Sequence, residues 1–235
     1  MWWIILIVVA VIVLILIVVA IVKGTLHDRG DYGDGGGTQV GGTSRVPIFV
    51  PANERAGMRG EKLVNYHLRP LLQEDEYLLA NVLLPLKNGH KTEIDCILIS
   101  RRGVFCIETK NWVGHIKGND EDEYWVQTYD DPDMKNRYHK NPVTQNEGHC
   151  AILERLLDNK YPVDNIIIFA NLEDGLGINS EYAFSIRGFK EYYRGLNDDE
   201  IYLPDLKFIY QKLVKYVASD EQLRQHHIDT RNRFN

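Results

Sequence analysis

Residues 92–112, Thr-Glu-Ile-Asp-Cys-Ile-Leu-Ile-Ser-Arg-Arg-Gly-Val-Phe-Cys-Ile-Glu-Thr-Lys-Asn-Trp, decide how the chain folds. The stretch is rich in β-branched and aromatic residues and is interrupted once, at Arg101-Arg102-Gly103. It therefore predicts two strands, 92–100 and 103–112, joined by a tight turn. Side chains alternate along a strand, so Glu108 and Lys110 share a face. The face of Asp95 depends on register. If Ser100 pairs with Gly103 across a two-residue loop, Asp95 stands opposite Glu108. If Ser100 pairs with Val104, Asp95 pairs with Thr109 and faces away. Gly103 suits a bulged turn that gives the first register, but the residues alone leave both open.

Working outward, residues 77–86 (YLLANVLLPL) read as a preceding strand, with Asn88-Gly89 as the turn between them. Before that strand, Leu63, Val64, His67, Leu68, Leu71 and Leu72 recur at helical spacing. Asn53 is the predicted cap of this helix, and Glu61 lies within it. After the hairpin comes a loop around Gly118, then a further strand over 123–129. Asn141-Pro142 opens a helix that runs through Leu157, with Asn at the cap and Pro in the first turn. Asn165 to Ala170 (NIIIFA) reads as a buried parallel strand, and 182–186 as a last strand. Residues 188–195, 205–218 and 220–228 read as helices. The order α-β-β-β-(β)-α-β-β-α-α, with no internal repeat, predicts one α/β domain over 53–235.

The first tenth of the chain belongs to a different solvent. Every residue from Trp2 to Val22 is apolar, and as a helix this run spans roughly 30 Å, the thickness of a bilayer core. It lacks the basic start and short length of a cleaved signal peptide, so residues 1–23 are expected to be an uncleaved single-pass anchor in the cell membrane. Lys23, Arg29, Arg45, Arg55 and Arg59 all follow the run, which predicts an outside N-terminus and a cytoplasmic domain. Residues 24–52, rich in Gly, Thr and Asp, read as a flexible linker. Cys96, Cys106 and Cys150 are odd in number and sit in apolar stretches, as reduced core residues do, and their spacing fits no zinc site.

A formal net charge of -6 excludes a protein that coats DNA by unspecific electrostatics, because neutralising phosphates needs clustered Lys and Arg. Local basic patches remain available at Lys87, His90 and Lys91 with Arg101 and Arg102, and at Lys135, Arg137, His139 and Lys140. Solvated loop charge is the plainer reading of each.

The chemistry lies on the hairpin. Two neighbouring carboxylates bind a hard divalent cation through oxygen, at about 2.0–2.1 Å for Mg²⁺. Such an ion polarises a phosphoryl oxygen and lowers the pKa of a bound water. A lysine beside it holds or helps deprotonate that water and counters charge developing on phosphate. Asp95 followed by Glu108-Thr109-Lys110 supplies those parts. Glu-x-Lys is also a common tripeptide, and taken alone it fits a surface hairpin with an exposed ion pair.

The pattern extends well beyond the tripeptide. Gly57-Met58-Arg59-Gly60-Glu61, Ile94-Asp95, Gly103-Val104-Phe105, Ile107-Glu108-Thr109-Lys110-Asn111-Trp112, Gly114, Gly118 and Asn141-Pro142 with Gln145 occur in that order. Together they resemble the NERD (nuclease-related) domain over roughly residues 54–170. That family resembles the restriction-endonuclease-like PD-(D/E)xK superfamily, whose core is a mixed sheet flanked by helices in an αβββαβ order. The resemblance implies that Asp95 and Glu108 bind metal and that Lys110 is the catalytic lysine. It further implies that Glu61 reaches the cluster as an auxiliary ligand or base, and that Gln145 contacts metal water or substrate phosphate. The Pro of the superfamily motif is absent, with Ile94 before Asp95.

For the remaining candidates the plainer reading leads. Gly57 and Gly60 permit close helix packing, Trp112 is a core residue, and His115 is an exposed strand residue. Tyr192, Tyr193, Tyr210 and Tyr216 form packing stripes. His226-His227 is too isolated in sequence for a metal site. The expected function is a membrane-anchored nuclease that uses Mg²⁺ or Mn²⁺ to hydrolyse phosphodiester bonds of DNA, or of RNA. The alternative is a non-catalytic, membrane-tethered nucleic-acid-binding or scaffold module with the same fold.

Overall fold

The structure, a computed structural model, describes residues 52–172 and 177–234. The expected anchor over 1–23 and the linker up to residue 51 lie outside the described residues. Among the described residues no helix is long and apolar enough to cross a membrane.

The first element is helix α1, Ala52–Leu68, continued by a 3₁₀ turn over Arg69–Leu71. The sequence predicts helix to Leu72. The change of winding falls at Pro70, which has no backbone N–H to continue the ladder. Strands β1 (Tyr77–Pro85), β2 (Lys91–Ser100) and β3 (Gly103–Lys110) follow as an antiparallel meander. The predicted turn at Asn88-Gly89 forms: Gly89 takes φ +80°, and Leu86 N–H donates to the His90 carbonyl at 2.7 Å.

Between β2 and β3 the pairing is Ser100 with Gly103, and then Ile99 with Val104 and Cys96 with Ile107. This is the first of the two registers, made by a plain two-residue loop rather than by a bulge. Glu76 holds that loop from below. Its buried carboxylate accepts from the Arg101 N–H at 3.0 Å and from the Gln73 N–H at 2.9 Å.

Next come β4 (His115–Asn119), β5 (Tyr124–Thr128), β6 (Arg137–Lys140), helix α2 (Pro142–Leu156), β7 (Val163–Phe169), β8 (Gly177–Asn179) and β9 (Ala183–Ser185). Helices α3 (Ile186–Gly195), α4 (Leu203–Leu213) and α5 (Asp220–Phe234) complete the described chain. The described residues form two mixed sheets, of order β1-β2-β3-β7-β9 and β6-β5-β4-β8, where the resemblance implies one. Strands β4, β6 and β8 are the unanticipated ones. They are short, and Gly, Lys, Arg and Asn in them leave too little apolar alternation to read.

β7 pairs parallel to both β3 and β9. It is covered on both faces, as its continuous apolar run demands. One core layer joins Ile97, Ile99, Val104 and Cys106 to Leu153 of α2 and to Leu206 and Ile209 of α4. The other joins Cys96, Leu98, Phe105 and Ile107 to Val64 and Leu68 of α1 and to Phe189 and Tyr193 of α3. The small sheet packs Ile116 and Trp125 against Val143 and Phe169. The tyrosines of the late helices pack as expected: Tyr210 stacks on Tyr77 at 4.1 Å, and Tyr193 is buried. All three cysteines are buried free thiols.

Candidate active site

The site forms where β2 and β3 part. Their backbone pairing ends at Cys96 and Ile107, so the next residues in register, Asp95 and Glu108, face each other across an opening gap. The Asp95 side chain bridges this gap, its Oδ2 accepting from the Thr109 N–H at 2.8 Å. Two residues beyond Glu108, strand parity puts Lys110 on the same side. Its Nζ donates to Glu108 Oε1 at 2.6 Å.

Helix α2 closes the cluster. Asn141 caps it as predicted, its side chain accepting from the Val143 N–H. One turn on, Gln145 donates through Nε2 to Glu108 Oε1 at 3.1 Å and accepts from Lys110 Nζ at 3.3 Å. Lys110, Glu108 and Gln145 thus form a closed hydrogen-bonded triangle at the C-terminal end of a strand buried in the sheet.

The seating of α2 depends on residues that the sequence reading did not single out. Asn146 is fully buried and donates through Nδ2 to the Cys106 carbonyl at 2.9 Å and to Asn165 Oδ1 at 2.8 Å. His149, four residues after Gln145 and so on the same helix face, lies with Nδ1 3.9 Å from Glu108 Oε2. Its Nε2 meets Thr92 Oγ1 at 3.1 Å. Burial holds the His149 imidazole below its ordinary pKa. The signal for His149 was the i, i+4 spacing from Gln145.

Glu61 approaches from the opposite layer, on α1. Gly60 brings that helix close, because a Cβ there would stand 2.8 Å from the Asn111 side chain. Asn111 in turn donates to the Ala56 carbonyl at 2.6 Å. Burial raises the Glu61 carboxyl above its ordinary range, and Glu93 and Glu108 push it the same way against His227. Glu93 was not among the predicted residues. It accepts from or pairs with His227 of α5 at 2.8 Å, so the histidine judged isolated in sequence has a spatial partner. Asp95 is pushed well above the ordinary aspartate range, first by burial and then by the charges of Glu108 and Glu61.

Other expectations sort plainly. Trp112 is half-buried and stacks on His139 at 4.0 Å, with Lys110 Nζ 5.9 Å from its ring centroid. This brings the β6 end of the second basic patch beside the site. The first patch does not assemble: Lys91 and Arg101 flank opposite ends of β2, about 30 Å apart at strand rise. His115 is exposed and pairs with Asp130 at 2.8 Å.

The donor set suits a hard cation. Asp95 and Glu108 offer carboxylate oxygens, and their mutual repulsion together with that of Glu61 is the charge imbalance a divalent ion relieves. Among the described residues no three His, Cys, Asp or Glu side chains are grouped to hold an ion. Two carboxylates match Mg²⁺, which keeps several waters.

The chain is 26% identical over 195 residues to an uncharacterized protein of Bacillus anthracis, a match that covers 78% of this chain and 91% of that one. No solved structure matches it. Residues 56–170 match the nuclease-related domain, a span that begins inside α1, ends just past β7 and contains Glu61, Asp95, Glu108, Lys110 and Gln145. Over that span, just under half of the chain, the sequence is similar to the nuclease-related domain (NERD) family.

Proposed function

We propose that this protein is a metal-dependent phosphodiesterase that cleaves DNA, or RNA, and that residues 1–23 tether it to the cell membrane through a linker over 24–52. The domain is read as running from residue 53 to 235. The observation that carries the proposal is the Lys110–Glu108–Gln145 triangle facing Asp95 at the end of β3. The succession α1-β1-β2-β3-α2-β7 around it supports a restriction-endonuclease-like core. In this reading Asp95 and Glu108 hold Mg²⁺ or Mn²⁺. When bound, the ion supplies Lewis-acid polarisation and a bound water of lowered pKa.

The chain's own residues do the rest. Lys110 has no lone pair for the ion; its ammonium orients the attacking water and meets charge developing on the phosphate. Gln145 fixes Lys110 and Glu108 relative to one another and offers an amide to a non-bridging oxygen. Glu61, whose carboxyl burial raises above its ordinary range, accepts or returns a proton at the edge of the cluster in this reading.

One observation favours the second reading, a nucleic-acid-binding or scaffold module without turnover. Lys110 and Gln145 both occupy Glu108 Oε1, so that oxygen serves an ion only if the triangle opens. Incubating the full-length chain with labelled DNA and RNA in Mg²⁺, in Mn²⁺ and in EDTA separates the two. Cleavage that needs the ion and is lost in Lys110→Ala supports the enzyme; binding without cleavage in any metal supports the module.

A further inference from the structure

A second feature opens on the α1–α3 face of the large sheet. A cavity of about 550 Å³ lies between α1 and α3. Its floor is apolar, with Leu63 and Ile186 among its residues, and its rim carries His67, Arg187, Lys190, Glu191 and Arg194. The floor also includes Ala170, whose N–H donates to the Lys110 carbonyl at 2.9 Å. This backbone bond puts the groove beside the end of β3, while the Lys110 side chain points to the α2 face of the sheet with Glu108 and Gln145.

The rim charge is only partly compensated among the described residues. Arg187 pairs with Glu191 at 3.0 Å, but among the described residues neither Lys190 nor Arg194 has a carboxylate partner. They stand at i, i+4 on α3, about 5–6 Å apart, where like charges repel. A chain of net charge -6 here keeps Lys190 and Arg194 together one turn apart, with the Arg187–Glu191 pair beside them. A polyanion laid along α3 relieves that repulsion. A duplex offers these cations only phosphates. An unpaired strand also offers sugars and base faces, which suit the apolar floor.

We propose that the α1–α3 groove is the path of a single nucleic-acid strand toward the Lys110 cluster, with phosphates on Lys190 and Arg194 and sugars or bases over Leu63 and Ile186. This rests on the nuclease-related reading above and adds where the substrate lies. The test is fluorescence anisotropy with the full-length chain in neutral-lipid nanodiscs and EDTA, so that nothing is cut. The probes are a labelled single-stranded oligonucleotide and its duplex, titrated over a salt series, with inorganic phosphate as competitor. Lys190→Gln with Arg194→Gln is compared with Lys207→Gln with Lys215→Gln, which removes equal charge from exposed positions elsewhere.

The groove variant is expected to bind the single strand at least tenfold more weakly, with a log–log salt slope shallower by about 1.4, two contacts at about 0.7 each. The control variant stays within twofold of wild type. Wild-type binding with an unchanged groove variant overturns the groove and leaves the nuclease reading standing. No binding by wild type to either probe overturns both. Equal loss for duplex and single strand overturns the single-strand path. Binding to nanodiscs of anionic lipid but to neither oligonucleotide assigns these cations to a membrane surface and overturns the proposal.

Discussion

At the scale of single residues, Asp95 bears the greatest electrostatic burden. Burial, then Glu108 and Glu61, hold its carboxyl above the ordinary aspartate range, against the pull of the Thr109 N–H and Lys110. The folded chain therefore binds this proton more tightly than the unfolded chain. The stability it contributes is full below the ordinary aspartate pKa and is lost as pH rises through the raised value. At neutral pH, without an ion, this carboxyl therefore costs the fold stability. Asp95→Asn keeps an oxygen for the Thr109 N–H and removes the charge. It is expected to raise Tm at pH 7 in EDTA, by about 2–4 °C for each kcal/mol recovered, with the gain shrinking toward pH 4. Added Mn²⁺ is expected to stabilise wild type and not the variant. Calorimetric scans at both pH values check this, and an unchanged or lowered Tm at pH 7 counts against the charge cluster.

At the scale of elements, the hairpin and α2 make the site together, and each depends on groups outside it. Asn146 ties α2 to the Cys106 carbonyl and to Asn165. Asn146→Ala leaves these buried groups unpaired and is expected to cost about 2–3 kcal/mol in denaturant unfolding. It should also slow cleavage by freeing Gln145, whereas substitution of the exposed Glu147 on the same helix should do neither. The hairpin was legible because its apolar alternation and its charges point the same way. Parity gave Glu108 and Lys110 one face without a structure. Register was not legible, because it depends on Ser100 meeting Gly103 over a loop held by Glu76 from a distant turn. The second sheet was missed for a related reason. Its strands are short and polar, and pairing rather than apolar pattern defines them. Glu93 and Asn146 act through contacts between elements, which no local pattern encodes, whereas His149 is signalled only by its i, i+4 spacing from Gln145.

At the scale of the whole molecule, the expected tether decides which nucleic acid the domain can meet. The apolar run from Trp2 to Val22 and the Lys/Arg excess behind it predict a cytoplasmic C-terminus. A C-terminal fusion to a reporter that works only outside the cytoplasm is expected to be inactive, and activity would reverse the orientation. The central claim concerns the site itself: carboxylates hold the ion, and Lys110 serves the reaction. Its most direct test pairs calorimetric Mn²⁺ titration with cleavage rates on wild type, Lys110→Ala and Glu108→Ala, all full length. Lys110→Ala is expected to keep Mn²⁺ affinity and to lose about 10²–10³ in rate, the usual effect of removing one preorganised electrostatic contact. Glu108→Ala is expected to lose ion and turnover together. Wild-type cleavage by Lys110→Ala, or unchanged Mn²⁺ binding by Glu108→Ala, would contradict the account.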